Sequence, residues 1–152
     1  MINIFQPSLG EKELNKIKEV FDSNWLGRGS VVHEFEAKFA ENLSSNKDNF
    51  YATTCCTEGL FLAAELFNFQ PEDEIIVPTI SFIAAGSAVV DSGAKLVLCD
   101  VDKRSLNATV ETISEKITRN TKAIILNHYG GHPCDMDDIL NLARKNNLYI
   151  IE

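Results

Sequence analysis

The sequence has no run of about 18 apolar residues, and it has no basic segment followed by an apolar one near its start. A membrane-spanning helix needs roughly 20 mostly apolar residues, and a secretory leader needs a charged segment before a short apolar one. We therefore expect neither membrane insertion nor secretion, and the sequence favours a cytoplasmic protein.

Positive charge is also scarce. The 14 basic side chains are outnumbered by 22 acidic ones, which gives a net charge of −8, and the basic residues are scattered along the chain. Nucleic-acid binding requires a face rich in lysine and arginine to neutralise phosphates. We expect no nucleic-acid partner.

The cysteines contain no C-x-x-C pair, so the sequence favours buried free thiols. A zinc site of Cys134 with His128 and His132 would need the four-residue spacing of a helix, and the glycine and proline residues between 130 and 133 cannot be helical. We predict no metal site. The four cysteines are Cys55, Cys56, Cys99 and Cys134.

The composition, with 45% apolar and 24% charged residues, is typical of a soluble globular protein. Strand-like and helix-like runs alternate, which predicts an α/β fold with a mostly parallel sheet and flanking helices. A helical segment over residues 1–45 would precede an α/β domain over residues 46–152. The predicted strands are 50–55, 74–78, 95–101, 122–128 and 148–151, and the predicted helices are 11–22, 31–43, 57–68, 80–91, 109–117 and 136–146.

The last predicted strand leaves its apolar surface and its hydrogen-bonding groups without a following neighbour. From this pattern we expect the chain to be a fragment of a larger domain.

The segment Ala52–Leu60 is the most informative part of the sequence, because a strand there is predicted to pass through one tight turn into a helix. The first N–H groups of a helix have no internal partner and lie at the positive end of its dipole, where phosphates bind. Cys56 and Thr57 would offer backbone donors, and Thr57 would cap the helix with its hydroxyl group. A purely structural cap is the alternative. No G-x-G-x-x-G follows the predicted strand, which argues against a dinucleotide-binding domain.

Several segments in a fixed order closely resemble the DegT/DnrJ/EryC1/StrS family of pyridoxal-phosphate-dependent sugar aminotransferases. The resemblance extends from about residue 4 to Glu152 and corresponds to the N-terminal part of that family. It implies part of the large domain of a fold type I transferase, similar to aspartate aminotransferase. The segments are Gln6–Gly10, Trp25–Gly29, Phe35–Glu36, Cys55–Thr57, Glu72–Phe82, Gly93–Asp102 and Thr121–Asp137.

The resemblance implies pyridoxal 5'-phosphate as the cofactor and three residues that would bind it. The family holds the phosphate on a Ser-Gly-Thr turn, which corresponds here to Cys55, Cys56 and Thr57. Cys56 stands where the family has glycine, and the turn can survive this change if the φ angle of Cys56 is negative. Phe82 corresponds to the aromatic residue that stacks on the pyridine ring. Taken alone, an aromatic side chain at this position would more often belong to the core.

Two catalytic groups of the family have no counterpart in the sequence. These are the lysine that forms a Schiff base with the cofactor and the acid that keeps the pyridine nitrogen protonated. The acid would follow Glu152, and no lysine lies in a matching context, with Lys95 and Lys122 at the wrong ends of their strands. We therefore assign no catalytic residue and expect no turnover by the chain alone.

The leading functional hypothesis is part of an enzyme that transfers an amino group from an amino acid, commonly glutamate, to a nucleotide-linked keto-sugar. By the resemblance, its products would feed polysaccharide or glycoside biosynthesis, and the enzyme would be a homodimer. The alternative is a truncated, non-catalytic α/β module that binds a phosphate ligand or a partner.

The sequence leaves the roles of five other polar or charged residues open. Arg28 could meet an acidic substrate, remain solvated or form a subunit contact. His128 and Tyr129 could line the cofactor pocket or have a packing role. Glu36 and Glu58 are typical of charges on a helix face or in a first helical turn.

Overall fold

The computed structural model describes residues 6–152. The chain divides into two compact units, with the boundary between Ala52 and Thr53. The sequence-based division into 1–45 and 46–152 stays a prediction, and residues 1–5 lie outside the described residues.

Between residues 6 and 52, the first unit contains two α-helices and one short 3-10 helix. Helix α1 begins after Gly10, whose N–H donates to Glu13 Oε2 at 2.7 Å, and the acidic side chains of its first turn complement the helix dipole. The rings of Phe35, Phe39 and Phe50 contact in series, with a tilted pair at a centroid distance of 5.8 Å and an edge-on pair at 5.5 Å. The elements are α1 (Glu11–Asp22), α2 (Ser30–Asn42) and the 3-10 helix Lys47–Asn49.

The second unit alternates helices and strands. A further 3-10 helix, Tyr129–Gly131, follows the third strand. The elements are α3 (Cys56–Leu66), β1 (Glu74–Pro78), α4 (Ile83–Asp91), β2 (Lys95–Cys99), α5 (Val110–Ser114), β3 (Thr121–Ile125), α6 (Met136–Asn146) and β4 (Tyr149–Ile151).

The four strands form one parallel sheet in the order β2-β1-β3-β4. The central strands carry continuous buried apolar runs, residues 75–78 in β1 and 123–125 in β3, as expected for parallel strands covered on both faces. Because the strands are parallel, the loops that follow β1, β2 and β3 all emerge at one edge, which we call the carboxyl edge of the sheet.

The core consists of two apolar layers, one on each face of the sheet. Alternate strand residues point to opposite faces, so Ile75 packs in the layer with α3 and α4, whereas Ile76 packs in the layer with α5 and α6. Ile124 on β3 is fully buried in the second layer, with Ile113 of α5 and Ile139 of α6. This three-layer arrangement confirms the predicted α/β fold with flanking helices.

The predicted strand over 50–55 is wrong. Phe50 and Cys55 have extended φ and ψ angles, but among the described residues the segment joins no sheet. The N–H of Ala52 donates instead to the carboxylate of Glu36 at 2.8 Å. An extended segment becomes a strand only when a neighbouring strand pairs with it, and local sequence does not encode that partner.

The other predicted elements are present, with small differences at their ends. Strands β2 and β3 end earlier than predicted, at Cys99 and Ile125, because the chain turns there into the loops of the carboxyl edge. Asp135 is the N-cap residue of α6, but its side chain makes no capping hydrogen bond. No helix within residues 6–152 combines the length and apolar character needed to cross a membrane.

Candidate functional site

The candidate site lies at the carboxyl edge of the sheet, where α3 and α4 begin. Helix α4 follows β1 directly, so it starts at this edge. Helix α3 precedes β1 through a short connection and packs on the same layer, so its first residues also lie toward the carboxyl ends of the strands. Helices that pack on a parallel sheet run antiparallel to the strands they flank, which places their positive dipole ends at this edge.

Helix α3 begins one residue earlier than predicted. Cys55 is the N-cap residue, with φ −159° and ψ 164°, and Cys56 and Thr57 are the first two helical residues. The predicted capping role of Thr57 is therefore wrong. The N–H groups of Cys56 and Thr57 have no carbonyl partner inside the helix, and the first intrahelical bond joins Gly59 N to Cys55 O at 3.3 Å.

The backbone of Cys56 needs no glycine. Its φ angle is negative, as in any right-handed helix, so a side chain causes no backbone strain at the position where the family has glycine. The requirement that Cys56 have a negative φ angle, if the turn is to accept a side chain there, is therefore met.

A short hydrogen-bond network holds the turn before α3. The N–H and the hydroxyl group of Thr54 both donate to Glu58 Oε2 at 2.7 Å, and the hydroxyl group of Thr53 donates to Cys55 O at 2.9 Å. The hydroxyl of Thr54, followed by its N–H, lowers the pKa of the Glu58 carboxyl. The Glu58 carboxylate therefore holds the turn through Thr54. From the sequence, Glu58 was expected only to be a charge in the first turn of a helix.

The four cysteines are free thiols, two of them buried and two exposed. Cys99 and Cys134 are buried, as predicted, and burial raises the pKa of Cys99 to about 11. Cys55 and Cys56 are exposed, so the prediction of buried thiols is wrong for them. The N–H of Glu58, followed by the hydroxyl of Thr54, lowers the pKa of Cys55 because both can donate to its thiolate.

The ring of Phe82 is not part of the core. Phe82 is the N-cap residue of α4, and 74% of it is exposed. The alternative of a core aromatic is therefore wrong, and the ring is accessible at the carboxyl edge. Its loop is bonded to the end of β2 and to the loop after β3, since Thr79 N donates to Cys99 O at 3.0 Å and Asn127 Nδ2 donates to Ile80 O at 3.3 Å.

The loop after β3 places His128 in a fixed orientation. The N–H of Cys134 donates to His128 Nδ1 at 3.1 Å, so the ring proton of the neutral imidazole lies on Nε2. His128 Nε2 lies 3.0 Å from Glu152 Oε2 and can donate to it.

Tyr129 is 44% exposed, and its N–H donates to the side chain of Asn107. Sequence reasoning missed Asn107, because a buried amide leaves no local pattern.

Arg28 is paired within the first unit. Its Nη2 donates to both carboxylate oxygens of Glu36 at 2.9 Å, and its guanidinium lies 4.7 Å from the centre of the Tyr51 ring. Glu36 is buried and also accepts from Ala52 N. The Ala52 N–H, followed by Arg28, holds the pKa of Glu36 below its usual range. From the sequence, Glu36 was expected to be an ordinary charge on a helix face, and its ion pair with Arg28 was not predicted.

The donor set at the carboxyl edge fits a phosphorylated aromatic ligand. Two helical N–H groups and the hydroxyl of Thr57 lie at the start of α3, and an exposed aromatic ring lies at the start of α4. Lys95 and Lys122 lie at the amino ends of β2 and β3, the opposite edge of the sheet. One edge of the sheet therefore offers hydrogen-bond donors suited to a phosphate and an exposed aromatic ring, while these two lysines lie at the other edge.

Comparisons with known proteins agree with this geometry. The model of the DegT/DnrJ/EryC1/StrS aminotransferase family matches residues 7–152. The chain is 43% identical over 152 residues to dTDP-4-dehydro-2,3,6-trideoxy-D-glucose 4-aminotransferase from Saccharopolyspora spinosa, covering all of this chain and 40% of that protein. It therefore spans well under two thirds of that relative's length.

Two solved structures are also similar. The aminotransferase TlmJ from Streptoalloteichus hindustanus is 47% identical, with a TM-score of 0.94 over 99% of this chain and 41% of that one. The protein NtdA from Bacillus subtilis, solved with bound cofactor PMP, is 28% identical, with a TM-score of 0.83 over 92% of this chain and 32% of that one. The fold of the described residues is thus the fold of part of these proteins.

Proposed function

The chain belongs to the DegT/DnrJ/EryC1/StrS aminotransferase family, and we propose that it forms part of a pyridoxal-phosphate-dependent aminotransferase. In this proposal an amino group passes from an amino acid, glutamate in the simplest case, to a keto-sugar linked to a nucleoside diphosphate. The relative from Saccharopolyspora spinosa, which is named for a dTDP-linked dehydro sugar, supports this substrate class. The product would enter polysaccharide or glycoside biosynthesis in the cytoplasm.

We propose that Cys56 and Thr57 bind the cofactor phosphate. Their backbone N–H groups and the Thr57 hydroxyl would donate to phosphate oxygens, and the dipole of the 11-residue helix α3 would favour the negative charge. When bound, the cofactor supplies an electron sink and carries the amino group between two half-reactions. The start of α3, with two helical donors at the carboxyl edge, is the observation that carries this proposal.

We propose that Phe82 stacks on the pyridine ring of the cofactor. An offset stack contributes about 0.5–1.5 kcal/mol beyond the buried area, and it orients the ring relative to the phosphate. The exposure of Phe82 and the hydrogen bonds that fix its loop support this role.

A titration of the chain with pyridoxal 5'-phosphate, followed by amide NMR, tests both roles. We expect the largest shifts at the amides of Cys56 and Thr57, and pyridoxal without the phosphate should leave these two amides unchanged. Thr57→Val replaces the hydroxyl with a methyl group and should weaken binding about threefold to tenfold, the equivalent of one hydrogen bond.

The adjacent residue Ile83 offers a matched control for the aromatic ring, because it is 76% exposed and Phe82 is 74% exposed. Phe82→Ala should weaken binding of pyridoxal phosphate but not of inorganic phosphate, whereas Ile83→Ala should change neither. Shifts confined to lysine-bearing segments, with Cys56 and Thr57 unaffected, would contradict the proposed site.

The second candidate function is a non-catalytic α/β module that binds a phosphate ligand or a partner. The position of Lys95 and Lys122 at the opposite edge favours it, because neither lysine can reach the cofactor. The absorbance spectrum of the chain with pyridoxal phosphate tests this candidate. A specific Schiff-base band that survives dilution would argue against the module, and only weak, nonspecific absorbance would favour it.

We further propose that the functional protein is a homodimer. Apolar side chains of α1, including Leu14, Ile17 and Phe21, are at least half exposed, and such side chains on one helix face are typical of an interface. The net charge of −8 opposes self-association, so apolar contacts would have to drive it.

A further inference from the structure

Asn107 is a buried polar residue that connects two loops at the carboxyl edge of the sheet. It is 2% exposed and lies between β2 and α5. Its Oδ1 accepts the N–H of Tyr129 at 2.8 Å, and its Nδ2 donates to the carbonyl of His132 at 2.8 Å. Both ends of the carboxamide are therefore bonded to the loop that follows β3.

The orientation of the carboxamide is fixed by the backbone around it. Asp102 N donates to Asn107 O at 2.9 Å, and Asn107 N donates to the hydroxyl of Ser105 at 3.3 Å. The carboxylate of Asp102 in turn accepts from the N–H groups of Arg104 and Ser105. The carboxamide has an acceptor, Oδ1, on one side and a donor, Nδ2, on the other. A rotation by 180° would exchange them and break the bonds to Tyr129 N and His132 O, so only the observed orientation satisfies both.

The loop that Asn107 holds contains two successive glycines with positive φ angles. Gly130 and Gly131 have φ angles of 63° and 79°, so two successive residues lie in the left-handed region. The internal bonds are Gly131 N to His128 O at 3.0 Å and His132 N to Tyr129 O at 3.1 Å. A turn with two flexible glycines has many alternative conformations, and bonds from a buried residue outside the loop select one of them.

The selected conformation determines the chemistry of His128. It brings the N–H of Cys134 to His128 Nδ1 at 3.1 Å, which leaves the ring proton on Nε2. The Nε2–H of His128 then has Glu152 Oε2 as its acceptor at 3.0 Å, so the held loop places the ring between the Cys134 N–H and the Glu152 carboxylate.

We propose that Asn107 is a positioning residue for the candidate site, which holds the loop 128–134 and thereby fixes the tautomer of His128. This role rests on the proposed function only in that the loop borders the proposed cofactor site. It predicts that loss of the carboxamide loosens the loop, frees the His128 ring to exchange tautomers, and weakens pyridoxal phosphate binding.

The experiment compares wild type with Asn107→Ala and Asn107→Asp in the full chain. Long-range proton–nitrogen NMR of the imidazole should show the Nε2–H tautomer of His128 in wild type and a mixture in both variants. Hydrogen exchange of the Tyr129 and Cys134 amides should rise at least about fivefold, while the amide of Ile124 keeps its protection. The dissociation constant for pyridoxal phosphate should rise about threefold to tenfold.

Ile113→Val provides the matched control, because it removes one methylene from the core beside Ile139 without touching Asn107. It should accelerate exchange in the strands by global unfolding, and it should leave the tautomer of His128 unchanged. A purely structural role for Asn107 would give the same pattern as this control.

The outcomes separate the positioning role from the proposed function. A ring proton on Nδ1 in wild type would overturn the positioning role even if neither variant folds. Unchanged loop exchange or unchanged cofactor affinity in folded variants would also overturn it. If wild type binds no pyridoxal phosphate while loop and tautomer respond as expected, the proposed function fails and the hold of Asn107 on His128 is supported.

Discussion

At the scale of single residues, Glu36 is a buried acidic residue held by several hydrogen bonds. The residue is 6% exposed, and its carboxylate accepts hydrogen bonds from Arg28 and from the N–H of Ala52. His33 Nδ1 lies 3.3 Å from the same carboxylate. A buried carboxylate is tolerated only when such partners replace water, so these bonds join α2 to the segments on both sides of it.

Glu36→Gln should destabilise the chain at neutral pH and reduce its sensitivity to acid. The pKa of Glu36 is lowered in the folded state, first by the Ala52 N–H and then by Arg28. Its stabilising contribution is therefore present above the unfolded pKa of about 4.3 and is lost as the pH falls through the lower folded pKa. Urea unfolding between neutral and acidic pH should show the wild-type advantage shrinking across this window.

Glu41→Gln is the control for this measurement, because Glu41 is an exposed carboxylate on the same helix. It should follow the wild-type pH profile closely. Parallel profiles for wild type, Glu36→Gln and Glu41→Gln would show that the buried ion pair contributes nothing to acid sensitivity.

Individual residues were predictable from sequence where a local motif determined them. The turn of Cys55, Cys56 and Thr57 was found because a strand-like segment preceding a helix marks a helix start. The contacts of Glu36 and Asn107 were missed, because their partners lie 8 to 25 residues away and depend on the path of the chain. Sequence reasoning therefore located the candidate phosphate donors but not the bonds that support their surroundings.

At the scale of elements, periodicity predicted the helices well and the strands unevenly. Strands β1 and β3 contain short continuous apolar runs, residues 75–78 and 123–125, which indicate buried parallel strands without knowledge of their neighbours. The segment 50–55 has similar composition but finds no strand partner among the described residues. Pairing is a property of the sheet and cannot be read from one segment.

Ile124→Ala should destabilise the chain by about 2–5 kcal/mol, because Ile124 is fully buried on a central strand between two helices and two strands. Leu98→Ala on the edge strand β2 should cost about 1 kcal/mol, since Leu98 is 51% exposed. Urea denaturation of both variants measures the difference. Equal losses would mean that β3 is not the centre of the core.

At the scale of the whole molecule, the two units differ in how much of their apolar surface is covered. The second unit has two apolar layers around its sheet. In the first unit α1 has no buried residue, although Leu14, Ile17 and Phe21 lie on one face of it. Isolated exposed apolar side chains are common on proteins, but three on one helix face indicate a contact surface.

If this face mediates the proposed homodimer, Phe21→Glu should shift the chain toward the monomer. The substitution places a charge in an apolar contact, and the cost of desolvating that charge falls only on the dimer. Asn15→Glu adds the same charge to an exposed polar position of α1 and should leave the oligomeric state unchanged. Sedimentation equilibrium over a range of concentrations measures both.

Because Phe21 is 62% exposed, Phe21→Glu should preserve the helical circular dichroism of wild type, so that a monomer with intact helices would confirm the interface. A dimer that persists in Phe21→Glu, or a monomeric wild type, would exclude α1 as the contact that holds two copies together.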